Sequence, residues 1–261
     1  MKTSNWNSIP INEFWQVADE LQERALQRAE SLFALAEEAD PKQLVALLIQ
    51  YRFFTIYYTT DLAILISRLT DGRMRSFLAE LLFDELGRGN PLEAHPRLYD
   101  DFLRSIGVTG QDLDNLALSA NIGLLDAVRK SLTDSSTSTA YGVGLRGMGG
   151  ECVCQVYLAR LHEHMMKNPY IQHMHSEIDW RFWDLHVGPH DIAHRLQTRE
   201  IIHDEIVVRG PEALADLGRG YNESMNSWTD FWTNILDSTI SGRVQRIASG
   251  ISPSSGSVAD Y

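Results

Sequence analysis

The feature that most constrains this 261-residue chain is the placing of acidic and imidazole side chains on three separated stretches that otherwise read as buried helix faces. Glu85 follows Leu78, Leu81 and Leu82 on one apolar stripe, and His95 comes ten residues later. Glu151 heads a second stripe, continued by Cys154, Leu158, Leu161 and Met165 at steps of three and four. His186, His190, Asp191 and His194 make the third cluster. An unpaired carboxylate taken out of water must find a cation, find a hydrogen-bond donor or keep its proton. The three stretches are therefore expected to meet, and their mixture of carboxylate and imidazole points to one buried site for two metal ions.

Helical periodicity runs through nearly the whole sequence and no run alternates as a strand would, so the fold is expected to be all-α. The pattern predicts helices over about residues 11–39, 41–69, 72–86, 91–106, 110–118, 122–132, 139–167, 177–186, 189–208 and 211–240. Asp40-Pro41, Asn90-Pro91 and Gly210-Pro211 mark three of the starts, since proline suits a first turn whose N–H has no internal acceptor. Residues 133–139, rich in Ser and Thr, form the best internal linker, but clusters on both sides of it must share one site. A single domain over residues 1–248 is expected, followed by a flexible tail over 249–261.

Composition narrows the partners. A formal net charge of -12 argues against nucleic acid, whose binding draws on clustered Lys and Arg. The longest apolar region, Leu44 to Ile66, is interrupted by Gln50, Arg52 and Asp61, and the first residues, MKTSNWNSIP, lack the apolar core of a secretory signal. The chain is expected to be cytoplasmic and to bind no membrane. Cys152 and Cys154, two apart on a helix, diverge too far for a disulfide and are expected as reduced thiols.

Taken singly, each cluster residue has a bland reading: Glu85 reaching solvent beside Gly87, His95 on a surface, the third cluster as a polar turn. Imidazole nitrogen with carboxylate oxygen suits iron, manganese or zinc. The Glu-x-x-His repeat of ferritin-like bundles is found only at Glu200 and His203, because Arg88 and Cys154 stand at that spacing after Glu85 and Glu151. The glycine-rich run before Glu151 lacks the GK[ST] of a phosphate loop.

The segment DELGRGNPLEAHPRLYDDFL, the isolated Glu151 after its glycine-rich turn and the late His-rich helix resemble the haem-oxygenase-like diiron oxidases over about residues 77–203. The resemblance implies a haem-oxygenase-like helical bundle in which two Fe(II) ions activate O2 with electrons from an external reductant. It implies Glu85, His95 and His194 as ligands of one iron, and Glu151, His186 and Asp191 as ligands of the other, with Glu85, Glu151 and Asp191 as the catalytic carboxylates. The family motif His-x-x-x-Asp-x-x-His is one residue longer here, with Gly188-Pro189 inside it. Either the extra residue is absorbed there and Asp191 binds, or His190 takes its place; Asp191 is favoured because it keeps the step of three to His194. An auxiliary carboxylate present in some members would have to be Asp61.

The resemblance also implies a small-molecule substrate, a free amino acid or a fatty acid of specialised metabolism. The nearest reaction in character desaturates isoleucine and closes its amine onto the side chain, giving an azetidine as in polyoxin-type antibiotic biosynthesis. N-oxygenation and oxidative C–C cleavage are the family's other reactions. A metal-free thiaminase-like hydrolase on the related scaffold would instead use Cys152 or Cys154, although the adjacent Glu151 disfavours a thiolate. An amino-acid substrate needs a cation for its carboxylate and an apolar wall. Arg146 and Arg199 are the basic residues near the ligand-bearing helices, with Tyr58, Tyr57 and Phe54 as wall. A homodimer is the assembly allowed for.

Overall fold

Asp40 shows how this sequence starts a helix. Its Oδ1 accepts the N–H of Gln43 at 2.9 Å, the Gln43 side chain accepts the N–H of Asp40 at 3.2 Å, and Pro41 occupies the first turn. The computed structural model describes residues 5–110, 113 and 117–240, without the side chains of residues 189–191 and 240. The expected helix over 110–118 falls largely, and the tail over 249–261 wholly, outside the described residues.

The elements in chain order are α1 Phe14–Glu38, α2 Pro41–Arg68, α3 Arg73–Glu85, α4 His95–Ser105, α5 Ser119–Thr133, α6 Thr139–Gly142, a π-helix Val143–Glu151, α7 Cys154–Met165, α8 Pro169–Met174, α9 Arg181–His186, α10 Pro189–Glu205 and α11 Pro211–Ile240, with short 3-10 turns between some of them. Among the described residues there is no strand, as expected. The expected continuous helix over 139–167 is corrected: it opens into the π-helix, turns at Cys152 and Val153, and resumes as α7. The helix expected from residue 91 begins at His95 after a 3-10 turn, and α8 is an addition to the expected set.

The long α11 packs along both α1 and the π-helix, and α2 lies across α3, α4 and the π-helix. A Cβ on Gly144 would run into the Leu217 carbonyl of α11, so this close approach needs glycine. The core is a run of aromatic rings. Tyr51 stacks on Trp228 and Trp232 at 6.3 and 6.2 Å between centroids, and Tyr157 stacks on Trp228 at 5.1 Å. Gly72, at the start of α3, has no side chain to cap it. Glu205, at the end of α10, accepts the N–H groups of Arg73 and Met74 at 2.7 and 2.9 Å, which fixes α3 against α10.

Candidate metal centre

The carboxylates and imidazoles converge because the chain reverses between α3 and α4. Glu85 is the last residue of α3; Gly87, Arg88 and Gly89 then adopt φ of +81°, +53° and +93°, and His95 opens α4. His95 Nδ1 thereby comes 3.1 Å from Glu85 Oε2. His186 ends α9, and its ring meets that of His95 edge-on at 4.7 Å. Its Nδ1 lies 2.7 Å from the Phe182 carbonyl, which can only accept, so Nδ1 carries the proton and Nε2 the lone pair. One ligand atom from each of Glu85, His95 and His186 lies within 4.8 Å of the others.

Glu151, closing the π-helix, accepts a hydrogen bond from the Tyr58 hydroxyl. A cavity of about 520 Å³ of empty volume, partly open to solvent, is lined by Glu85, His95, Glu151, His186 and His194, together with Tyr51, Phe54, Thr55, Tyr58, Leu81, Asp84 and Cys154. Five of the six expected ligands therefore share one wall. The side chains of Asp191 and His190 lie outside the described residues. The backbone there is broken at Val187 and Gly188, between α9 and α10, so the extra residue falls between two helices rather than within one. Of the ligands implied by the resemblance, Glu85, His95 and His186 form the tightest described group, and His194 lines the same cavity.

Burial alone would raise the Glu85 carboxyl, but the charges of His95 and His186 and the hydrogen bond from His95 outweigh it, and the group is held below its ordinary value. Burial, then the charge of Glu151, pushes the Tyr58 phenol well above the usual range, so it stays protonated and remains the donor. Burial pushes the Cys152 thiol up to about 12, which makes it inert. Neither cysteine forms a disulfide, as expected.

Other candidate residues are placed elsewhere. Arg199 pairs with Asp19 at 2.8 Å and stacks over Trp15, away from the cavity. Tyr57 donates outward to Asp126 at 2.7 Å. Asp61 is fully buried between Arg129 and Arg146, each at 2.8 Å, which turns it away from a ligand role. Arg146 borders a separate chamber. Sequence reasoning missed three cavity residues: Asp84, hidden by its neighbour Glu85, and Tyr51 and Thr55, which share a helical stripe with Phe54 and Tyr58.

A helical bundle built around a buried set of imidazoles and carboxylates is the architecture of a helical metalloprotein. The chain belongs to the iron-containing redox enzyme family, whose family model matches residues 45–229. None of the curated proteins matches the sequence. The fold is haem-oxygenase-like. It is similar to a domain of unknown function with a heme oxygenase-like fold from Shewanella denitrificans OS217, at 12% identity and a TM-score of 0.69, over 97% of this chain and 99% of that one. A TenA homolog from Pseudomonas syringae pv. tomato DC3000 is similar at 16% identity and a TM-score of 0.67, over 88% of this chain and 98% of that one. A CADD-like protein of unknown function from Nostoc punctiforme PCC 73102 is similar at 16% identity and a TM-score of 0.65, over 92% of this chain and 98% of that one. Among the described residues, no helix is long and apolar enough to cross a membrane.

Proposed function

We propose that the protein is a non-haem diiron oxidase that uses O2 to desaturate and cyclise a free aliphatic amino acid, with isoleucine to an azetidine as the leading case. The observation that carries the reading is the convergence of Glu85, His95, Glu151, His186 and His194 on one cavity in a member of an iron-containing family. The donor set fits iron: His186 presents its lone pair at Nε2, and imidazole nitrogen with carboxylate oxygen suits ferrous and ferric ions alike. Glu85, His95 and His186 would hold one ion, and Glu151, His194 and Asp191 the other. Bound iron supplies the oxygen-activating redox chemistry that no side chain of the cavity possesses.

The chain's own residues do the rest. Tyr58 donates to one oxygen of Glu151 and so fixes how that carboxylate is turned towards the cavity. Tyr51, Phe54 and Leu81 line the cavity and keep it apolar, so that a reactive carbon is shielded from water. Removing two hydrogens supplies half the electrons that take O2 to water; an external reductant supplies the others. The test is anaerobic loading with ferrous iron, then oxygen with a panel of aliphatic amino acids and fatty acids, followed by oxygen uptake and product mass. Isoleucine or valine should accelerate uptake and yield products lighter by two or four hydrogens. Acceleration by a fatty acid alone would move the reading to acyl substrates.

A second reading rests on Cys154, whose side chain shares the cavity. A metal-free hydrolase on this scaffold, in line with the TenA homolog of similar fold, would use that thiol as nucleophile. Elemental analysis separates the two: a fully active preparation without iron supports the hydrolase.

A further inference from the structure

The proposed reaction draws electrons from an external reductant, while His95 and His186, two of the imidazoles that would hold iron, are buried. The segment WRFWDLH, residues 180–186, joins that interior to the surface. Trp180, Trp183 and His186 follow one another at steps of three, so they lie along one side of α9, with Trp180 as its cap. The Phe182 ring stacks on His186 at 3.9 Å between centroids and meets Trp183 edge-on at 5.7 Å. Two rings bridge the indoles: His162 lies 5.4 Å from Trp183 and 5.8 Å from Trp180, and Phe102 lies 5.3 and 6.3 Å from them. Trp183 is fully buried. Trp180 is half-buried, and its Nε1 donates to the His175 carbonyl at 2.9 Å on the surface.

This environment suits the passage of electrons. An indole can give up an electron while keeping its proton, which a phenol does not readily do. The Trp183 Nε1 finds no acceptor among the described residues, so its proton stays in place and the vacancy is filled only by another electron. Burial holds the His162 imidazole below its ordinary value, against the charge of Asp184, so at neutral pH it sets no cation beside either indole. The other aromatic branch from the cavity ends in the core: Tyr51 stacks on Trp228 and Trp232, and these and Tyr157 beyond them are all buried.

We propose that Trp183 and Trp180 form an electron relay by which a small one-electron reductant in solution, such as ascorbate, serves the metal centre. Trp183 gives an electron to the site, Trp180 gives one to Trp183, and the reductant restores Trp180, with no proton moving along the path. Two such passages supply the electrons that the substrate does not, and the accompanying protons come from solvent through the partly open cavity. The relay rests on the iron-oxidase reading but not on the identity of the substrate.

Ferrous-loaded protein is exposed to oxygen without reductant, with and without isoleucine, in the presence of catalase to destroy free peroxide, and its peptides are read by mass spectrometry. Trp180 should gain oxygen, because an electron vacancy left there meets water and O2. Met166 and Met174, half-buried and the first targets of a diffusing oxidant, should not. Ascorbate should suppress the modification. Trp183→Phe keeps a ring in place and deletes an N–H that no described residue accepts; it should abolish the modification of Trp180 at wild-type iron content. Trp180→Phe, at the more open position, should leave the oxidation on Trp183.

Modification of Trp180 that survives Trp183→Phe, or that falls equally on the two methionines, overturns the relay. So does a protein that takes up iron, consumes oxygen and leaves both indoles intact. The two readings fail separately: Trp183-dependent oxidation of Trp180 without acceleration of oxygen uptake by any amino acid keeps the relay and sinks the amino-acid oxidase. A chain that takes up no iron, or takes it up and consumes no oxygen, sinks both.

Discussion

Gly150→Ala is the most informative single perturbation, because its consequence can be worked from atoms. A Cβ at this position would lie 2.5 Å from Tyr58 Cε2 and 2.6 Å from the Tyr58 hydroxyl. Carbon pairs settle at about 3.5–4.0 Å, so the ring must withdraw by about 1 Å. It has little room, being buried and stacked on Phe54 at 5.5 Å. Overpacking of this kind costs about 1–3 kcal/mol. A displacement of that size also takes the hydroxyl out of the range of about 2.5–3.0 Å in which it serves Glu151. Losing the hydrogen-bond partner of a metal ligand typically costs about 10–100-fold in metal affinity. The assay is anaerobic ferrous titration alongside thermal unfolding. Gly150→Ala should lower Tm by about 2–4 °C per kcal/mol and weaken one of the two ions. Tyr58→Phe should weaken the same ion with a smaller change in Tm, since it deletes the hydroxyl without strain. Wild-type affinity in both variants would refute the role given to Tyr58, and a loss confined to Gly150→Ala would leave only a steric effect. Gly123, on α5, is the control, because a methyl added there would meet nothing within 4 Å: Gly123→Ala should stabilise by about 0.5–1 kcal/mol.

Four further outcomes are expected. Anaerobic reconstitution should saturate near two irons per chain, and Glu151→Ala should remove one of them without lowering the Tm of the metal-free protein, because buried ligands that repel one another stabilise little; saturation at one iron in the wild type would exclude the dimetal reading. Asp191→Ala should abolish oxygen uptake and weaken one iron, while His190→Ala should keep both; the reverse result would give the position to His190. Iron uptake should decline on acidification, because protons compete with the metal for the imidazole nitrogens of His95, His186 and His194. Glu85, held below its ordinary value by the charges of His95 and His186, keeps its own charge over that fall, so uptake that is indifferent to acidification would contradict this account. Glu205→Ala should cost about 1 kcal/mol in thermal unfolding by uncapping α3, with iron content unchanged.

Much of the candidate site is legible in the chain because its carboxylates interrupt a pattern. Glu85 and Glu151 stand where leucines should, and the pair of glycines after Glu85 announces the reversal that returns His95 to it. Periodicity exposes such violations, and it predicts the helices that carry them. It cannot show the π-helix, since residues 143–150 are all buried and Arg146 alone among them is polar, too little to mark a register. Nor can it find the partner of Asp61. Arg146 lies 85 positions away, and a charge in a sequence carries no sign of which distant charge will meet it. Tyr58 is visible as an aromatic in a run of aromatics, but the face it turns to Glu151 depends on how α2 is rotated in the bundle. Arg199 misleads for the same reason: proximity along α10 to His194 says nothing of the side on which Asp19 waits.

The π-helix also bears on what the chain can tolerate in length. Winding with one residue more per loop of hydrogen bonding is less favourable than the ordinary α-helix, and it survives where something holds it. Such a segment carries extra residues over the turns that an α-helix would make, so deleting one position between Val143 and Gly149 would let it relax towards α-helix while the residues beyond keep roughly their facing. What the deletion would redraw is the stretch itself, in which Gly144, Gly149 and Gly150 lie hard against Leu217, Ser224 and Tyr58. The length of this stretch thus decides which backbone meets those neighbours, and one residue more or less tells on it more than most exchanges of side chain.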